Sequence, residues 1–262
     1  MTRSRILFAF GLLAAIASPG HAADLAGPTV ATPPPPATPS RWQFTFAPYI
    51  WTAGIGGDVG QFGLPPVSMS ESIGDVLSSL DVGLMAVAEI RYDRFIVSTD
   101  LSYVRTSSSS DTPLGIFANS VETTSTSIRG VLLGGYELVD TGRFRLDAHA
   151  GLQVLSAETE LAFSGGLLNG RTRSDSDTWA DGLAGVRARF DFTPKFYMSG
   201  WAYAGAGQSD LVWDVMGGAG YNFNGRISSY LGYRANGVDY SSDGFVYDVV
   251  QQGPVAGLVF RF

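Results

Sequence analysis

The sequence predicts an all-β protein, an antiparallel up-and-down transmembrane β-barrel of about ten strands, with eight or twelve as the alternatives. Three observations predict it. From Arg41 to Phe262 apolar residues recur at every second position, the period of a strand. The face opposite them carries glycine and both signs of charge, while the apolar face often carries alanine in place of the large close-fitting groups of a soluble core. The connections between the alternating segments run short and mostly long by turns, as in barrels with short turns at one end and loops at the other.

Composition narrows the class. The 262 residues include 33 glycines, 12% aromatic and only 16% charged residues, an unusual mixture for a cytosolic globule. Arg3 and Arg5 precede an apolar run from Ile6 to Ala17, and Gly20, His21 and Ala22 follow, so residues 1–22 read as a secretory signal peptide cleaved before Ala23. That run is too short for a membrane-spanning helix, and no later stretch reaches the roughly 20 residues one needs. Cleavage removes two arginines and no acid, taking the formal net charge from −7 to −9, which argues against a nucleic-acid partner. The absence of cysteine excludes disulfides, a thiol nucleophile, thiolate metal sites and a lipidated cysteine. Residues 23–40 contain four consecutive prolines and read as an extended periplasmic linker, leaving the barrel to residues 41–262.

The strand segments follow in order. In 41–53, Trp42, Phe44, Phe46 and Ile50 share one face. In 81–92, Val82, Leu84, Ala86, Ala88, Ile90 and Tyr92 oppose Gly83, Glu89 and Arg91. Segments 95–106 and 121–138 come next, then 143–157, where Phe144, Leu146, Ala148, Ala150, Leu152 and Val154 alternate with Arg143, Arg145, Asp147, His149, Gly151 and Gln153. Segments 178–192, 196–207, 211–223, 226–237 and 246–262 complete the set. Each meets the roughly 9–11 residues that a tilted strand needs to cross a bilayer. Asp93-Arg94, residues 139–142, Thr193-Pro194-Lys195 and Asn224-Gly225 are the short turns, the last a favoured hairpin pair. A closed ladder satisfies every backbone group where water is missing, so apolar residues face lipid and charges face the lumen.

Aromatic residues flank the short turns. Trp42, Tyr92, Phe95, Tyr136, Phe144, Phe190, Phe192, Phe196, Tyr221, Phe223, Phe260 and Phe262 are expected to form a girdle at the periplasmic headgroup level. Trp51, Tyr103, Trp179, Trp213, Tyr240 and Tyr247 are expected at the opposite rim. In the last segment, alternation counted back from Phe262 places Asp248 toward lipid and Pro254 in mid-strand. A bulge at Gly253-Pro254 is expected to resolve both, turning Phe245, Tyr247 and Val249 outward.

The tail GYRANGVDYSSDGFVYDVVQQGPVAGLVFRF, with WQFTFAPYIWTAGIGGDVG near residue 42 and GDVLSSLDVG near residue 74, resembles small, OmpA-like outer-membrane β-barrel proteins of Gram-negative bacteria. The resemblance is specific mainly at the two ends. It implies a barrel in the outer membrane, in contact with lipid and lipopolysaccharide, and no assigned catalytic residues. The terminal Phe262 is similar to the signal read by the barrel-assembly machinery.

The glycine-rich stretches, such as MGGAGYN at 216–222, do not open a helix after a strand, so they are read as barrel glycines and not as phosphate loops. Asp147 and His149, the latter the sole histidine after residue 22, both point inward and resemble part of an omptin protease site, but they lie close to a short turn. A serine from a neighbouring strand, such as Ser98, would be needed for a lipid A hydrolase. Opposite charges are expected to pair in the lumen: Glu89, Arg91, Asp100, Arg129, Glu137, Arg145, Asp147, His149, Asp181, Arg187, Arg189, Asp214 and Arg234. No cofactor, metal site or catalytic residue is expected. The polar loops 54–80, 107–120 and 158–177 are candidate interaction surfaces, with a helical turn over 73–81 and a projecting hairpin over 55–72 as further options. The resulting expectation is a monomeric barrel with a side-chain-filled lumen and a structural or surface-interaction role; the alternatives are a narrow pore for small solutes and a surface hydrolase.

Overall fold

The computed structural model describes residues 41–112 and 118–262; the signal peptide and linker expected over 1–40 lie outside the described residues. Ten strands close into an antiparallel ring: β1 (Trp42–Trp51), β4 (Leu80–Tyr92), β5 (Phe95–Asp111), β6 (Ser120–Asp140), β7 (Phe144–Ser164), β8 (Thr172–Asp191), β9 (Phe196–Gly207), β10 (Leu211–Asn222), β11 (Ile227–Ser242) and β12 (Phe245–Arg261). β12 pairs back onto β1, and the Phe44 and Phe262 backbones exchange two hydrogen bonds, of 3.3 and 2.9 Å, that complete the ring. Two further strands, β2 (Gly54–Gly60) and β3 (Val67–Glu71), stand outside it. Both ends of the barrel chain and the turns at 93–94, 141–143, 192–195 and 223–226 share one end of the cylinder, the turn end; the other, which carries the longer connections together with the tight ones at 208–210 and 243–244, is the loop end.

Alternation decides which way each side chain points. Phe44, Ile50, Leu84, Leu101, Leu132, Leu152 and Leu231 are exposed on the outer wall, whereas Arg91, Arg129, Asp147, Asp214 and Arg234 are buried inside. The core of the molecule is its lumen. β6 and β7 run to 21 residues each, about twice a bilayer crossing, and their loop-end halves are rich in Ser, Thr and Glu, so the wall continues beyond the apolar band. Much of what the sequence reads as loop is therefore ladder, including Asp175 and Asp177 on β8.

The β2–β3 hairpin is the upper part of the first hairpin of the barrel. Trp51 faces Val255 and Gly54 faces Gln252, so β1 and β2 follow β12 in one register across the break at Thr52-Ala53. On the other side, Ile55 faces Glu71 while Pro48 faces Ala86, and residues 72–79 fill the difference. They form a short helix, α1 (Ile73–Ser79), closed at its start by a capping box: the Ser72 hydroxyl accepts from the Asp75 backbone N–H at 3.3 Å, and the Ser72 N–H donates to the Asp75 carboxylate at 3.0 Å. The same hydroxyl, bonded to the carboxylate, holds Asp75 below the usual carboxylate range.

The structure contains no bulge at Gly253-Pro254. β11 and β12 pair without a slip from Ile227 opposite Phe260 to Ser242 opposite Phe245, so Phe245, Tyr247 and Val249 point inward and Asp248 outward. Two features make this possible. In an antiparallel ladder a residue's N–H and C=O face the same neighbour. The Pro254 carbonyl accepts from Thr52 at 3.1 Å, so its missing N–H falls at the break between β1 and β2 and leaves the β11 side intact. Asp248 in turn lies across from Asp239 on one side and Asp58 on the other, a row of carboxylates that belongs above the hydrocarbon.

At the same break the Thr52 carbonyl leans over Gly253, and a Cβ there would fall within the van der Waals envelope of that oxygen. Gly253→Ala is expected to destabilise the barrel by about 1–3 kcal/mol through backbone overpacking. The readout is the temperature at which the folded band is lost in unheated-versus-heated gel electrophoresis.

Candidate functional site

The lumen is built in three layers. At mid-height, Arg234 on β11 donates to Asp214 on β10 through Nε (3.1 Å) and Nη2 (2.5 Å), to Asp100 on β5 (2.7 Å), and to the Tyr49 hydroxyl on β1 (2.8 Å). Arg129 on β6 donates to Asp214 at 2.7 Å, to Asp100 at 3.3 Å and to the Gln153 amide oxygen on β7 at 2.7 Å. Tyr49 donates to Asp100 at 2.7 Å, and the Trp201 indole on β9 donates to Asp214 at 3.0 Å. Two arginines and two aspartates thus form a neutral brace across the barrel. Rings of Tyr49, Trp51 and Trp201 lie 5.0–5.9 Å from the Arg234 guanidinium and add cation–π attraction.

Below it, toward the turn end, Arg91 binds Asp147 (2.7 Å), Glu137 (2.9 Å) and Glu89 (3.5 Å). Arg187 pairs with Glu89, and Arg145 with Asp140 (3.0 Å) and Glu137 (3.4 Å). Three members of the expected charge set stand apart. Arg189 pairs with Asp191 on its own strand, Asp181 accepts from the backbone and hydroxyl of Ser209 at the loop end, and neither nitrogen of buried His149 has a hydrogen-bond partner. Asp147 is taken by Arg91, so Asp147 and His149 do not form a hydrogen-bonded pair. No hydrogen bond joins His149 to Ser98 among the described residues.

Above the brace the lumen is an apolar core that the expected charge set does not include. Trp179 stacks on Tyr240 at 4.2 Å, with Tyr247 at 5.4 Å and Phe245 at 6.2 Å, among Leu155, Leu183, Val212, Val238 and Val249. Trp51, Trp179, Tyr240 and Tyr247 therefore point inward, not to the outer rim where aromatics at that height were expected. Strand parity carries the signal: Trp179 is an even number of residues from Arg187 on β8, and Tyr247 from Arg261 on β12. Tyr103 and Trp213 do face outward.

Over this core lies the tip of the β2–β3 hairpin. The Phe62 N–H donates to Asp175 on β8 at 2.5 Å, and Arg173 donates to the Phe62 carbonyl at 3.3 Å with its guanidinium 5.1 Å from the ring centroid. β8 lies four strands round the ring from β12, on which the hairpin is paired, so this contact reaches across the loop-end mouth. Phe62 has φ of 61°, a left-handed turn conformation held by these contacts.

The turn end is open. A cavity of about 720 Å³ extends from the turns at Pro194-Lys195 and Asn224-Gly225 up to Trp201 and Arg234. Beyond it, beside Asp100, Arg129 and Asp214, there remains a void of about 20 Å³, room for about one water. On the outer wall at this end, Trp42 lies 4.6 Å from Tyr92, Phe95 5.4 Å from Tyr136, Phe190 4.7 Å from Phe192, and Tyr221 lies between Phe196 (5.0 Å) and Phe223 (5.4 Å). Phe144 and Phe260 are half-buried on the outer face, and Phe262 is exposed.

Among solved structures, the fold is similar to that of the outer membrane protease OmpT from Escherichia coli, with a TM-score of 0.58, 11% identity, and 84% of this chain and 97% of that one covered. The chain has an outer-membrane β-barrel fold. Lower similarity links it to the translocator domain of the autotransporter NalP from Neisseria meningitidis (TM-score 0.48, 16% identity, 86% and 90% covered) and to the attachment invasion locus protein Ail of Yersinia pestis (0.36, 12%, 84% and 98%). No family model and no curated protein matches the sequence. At 11% identity the likeness to the protease is one of fold.

Two substitutions separate the energetic roles in the lumen. Asp214→Ala leaves Arg234 and Arg129 facing each other with one carboxylate fewer and is expected to cost about 3–5 kcal/mol. His149→Leu removes two buried unsatisfied nitrogens and is expected to be neutral or stabilising, within about 1 kcal/mol. Urea titration of the refolded barrel in detergent, followed by tryptophan fluorescence, measures both.

Proposed function

We propose that this chain is an integral protein of the Gram-negative outer membrane, with its turn end toward the periplasm, whose closed lumen serves a structural or surface-presentation role. The observation that carries this reading is the sequence of three obstructions along the axis: the Arg129/Arg234/Asp100/Asp214 brace, the Trp179–Tyr240 aromatic core and the Phe62 latch over the mouth. An ion crossing the barrel would have to break a neutral brace whose arginines and aspartates are hydrogen-bonded to one another and then enter an apolar core, each step costing several kcal/mol. The long walls of β6, β7 and β8 and the β2–β3 hairpin then form the surface displayed outside, and the girdle from Trp42 to Phe262 sits at the inner headgroup level. Assembly of the monomer by the barrel-assembly machinery, using the terminal Phe262, belongs to the same reading.

A narrow pore is the second reading, favoured by the cavity that already occupies the turn-end part of the lumen. Planar-bilayer recording decides between them. The purified barrel is expected to give no steady channel at neutral pH, and reproducible open channels at that pH would overturn the closed-lumen reading.

A further inference from the structure

The turn-end cavity is chemically two-sided. The wall supplied by β4, β7 and β8 is ionic, with Glu89, Arg91, Asp147 and Arg187. The facing wall, from β9 to β12, is aromatic and apolar, with Tyr197, Trp201, Met216, Tyr230, Val255 and Val259. Cations outnumber carboxylates in the lining by seven (Arg91, Arg145, Arg187, Arg189, Lys195, Arg234, Arg261) to three (Glu89, Asp147, Asp191), in a chain whose formal net charge is −7. Most of these cations are compensated, since Arg91, Arg145, Arg187, Arg189 and Arg234 all have carboxylate partners.

Arg261 and Lys195 are the exceptions: among the described residues neither has an ion pair. The Arg261 guanidinium donates to the Ser228 hydroxyl at 3.1 Å and the Asn222 amide oxygen at 3.4 Å. It lies 5.9 Å from the centroid of the Tyr197 ring, on which Arg189 stacks at 3.6 Å. Two guanidinium groups on one ring, only one of them with a carboxylate, leave an excess of positive charge beside an apolar wall. The cavity exists because inward positions at this end are small, Thr45, Ala47, Ser199 and Gly257 among them. Its volume is in the range of sites for drug-sized ligands.

We propose that this cavity binds an amphipathic organic anion entering from the turn end. The acidic group rests against Arg261, with Lys195 at the entrance, and the apolar body lies along Tyr197, Tyr230, Met216 and Val259. An anion there compensates the Arg261 charge away from bulk water, where such pairing is stronger than at an exposed surface. The site goes beyond the closed-lumen reading and does not depend on it, because the cavity ends below the brace whether or not ions leak past.

The test uses the full barrel in lipid nanodiscs and isothermal titration calorimetry with three probes: 2-naphthoate, the neutral 2-naphthalenemethanol and inorganic phosphate. Saturable one-to-one binding of 2-naphthoate is expected, about tenfold tighter than either other probe. Arg261→Gln, which keeps hydrogen-bonding capacity and removes the charge, is expected to weaken 2-naphthoate about tenfold with no effect on the neutral probe. Lys195→Glu, at an exposed turn where the side chain has no ion pair among the described residues, is expected to weaken it about threefold and serves if the Arg261 variant does not fold. Equal affinity for naphthoate and the alcohol, phosphate binding as tightly as naphthoate, or affinity unchanged in both variants would each overturn the proposal.

Discussion

The structure depends on one constraint: the arginines and aspartates buried at mid-height of the cylinder must neutralise one another there. Closing the ladder satisfies the backbone but leaves ten strands' worth of inward side chains out of bulk water, where an unpaired ion costs several kcal/mol. The mid-lumen brace meets this with two arginines and two aspartates whose donors and acceptors are matched by Tyr49, Gln153 and Trp201. Its members come from β1, β5, β6, β7, β9, β10 and β11, so the bonds run across the lumen as well as around the wall. A register slip of one residue on any of these strands would send its polar member into lipid and its apolar neighbour into the brace. The brace therefore specifies the register as well as filling space.

The layers follow from the size of the inward side chains. Ten strands enclose more space than small aliphatic groups fill, since eight already leave an interior that side chains just occupy. Near the loop end the space is taken by Trp179, Tyr240, Phe245 and Tyr247, at mid-height by arginines reaching across, and at the turn end by little, because Thr45, Ala47, Ser199 and Gly257 are short. The plug and the cavity thus have one origin, the gradient of side-chain volume along the axis.

Ring size and wall orientation were legible in the sequence because period-two alternation is local and the side-chain period leaves little freedom once one face must meet lipid. The short turns were equally plain, with Asp93-Arg94 and Asn224-Gly225 standing between strands as expected. Two kinds of information were not local. The reach of the strands past the apolar band is set by pairing with neighbours, so polar stretches such as Ser107–Ser110 read as loop until Thr124 and its neighbours on β6 are placed beside them. The aromatic core was misassigned for a different reason: a wide aromatic ring suits a headgroup belt and a lumen equally well by composition, and parity alone separates them. On β12 the parity from Arg261 to Phe245 is unbroken, and the bulge inferred there would have been needed only if Asp248 lay within lipid, which the longer wall makes unnecessary. The lumen charges could be placed by parity, but their partners could not, because a pair such as Arg234 and Asp100 joins strands that are not neighbours in the ring.

The two ends of the lumen are treated unequally, and stability alone does not account for that. At the loop end the chain supplies large rings, a hairpin folded across the mouth and a latch on β8, all of which exclude water. At the turn end it leaves the space open while retaining Arg261 without a carboxylate beside Tyr197. A barrel optimised only for stability gains by filling such a space or pairing such a charge, since packing and pairing are both available to inward positions a few residues away. Thr45 and Ala47 could each carry a larger group at the level of the cavity, and Asn222 stands where an acid would reach Arg261. An open, cation-rich compartment under a sealed roof is the arrangement expected of a receptacle with one entrance, in which whatever enters must leave the way it came.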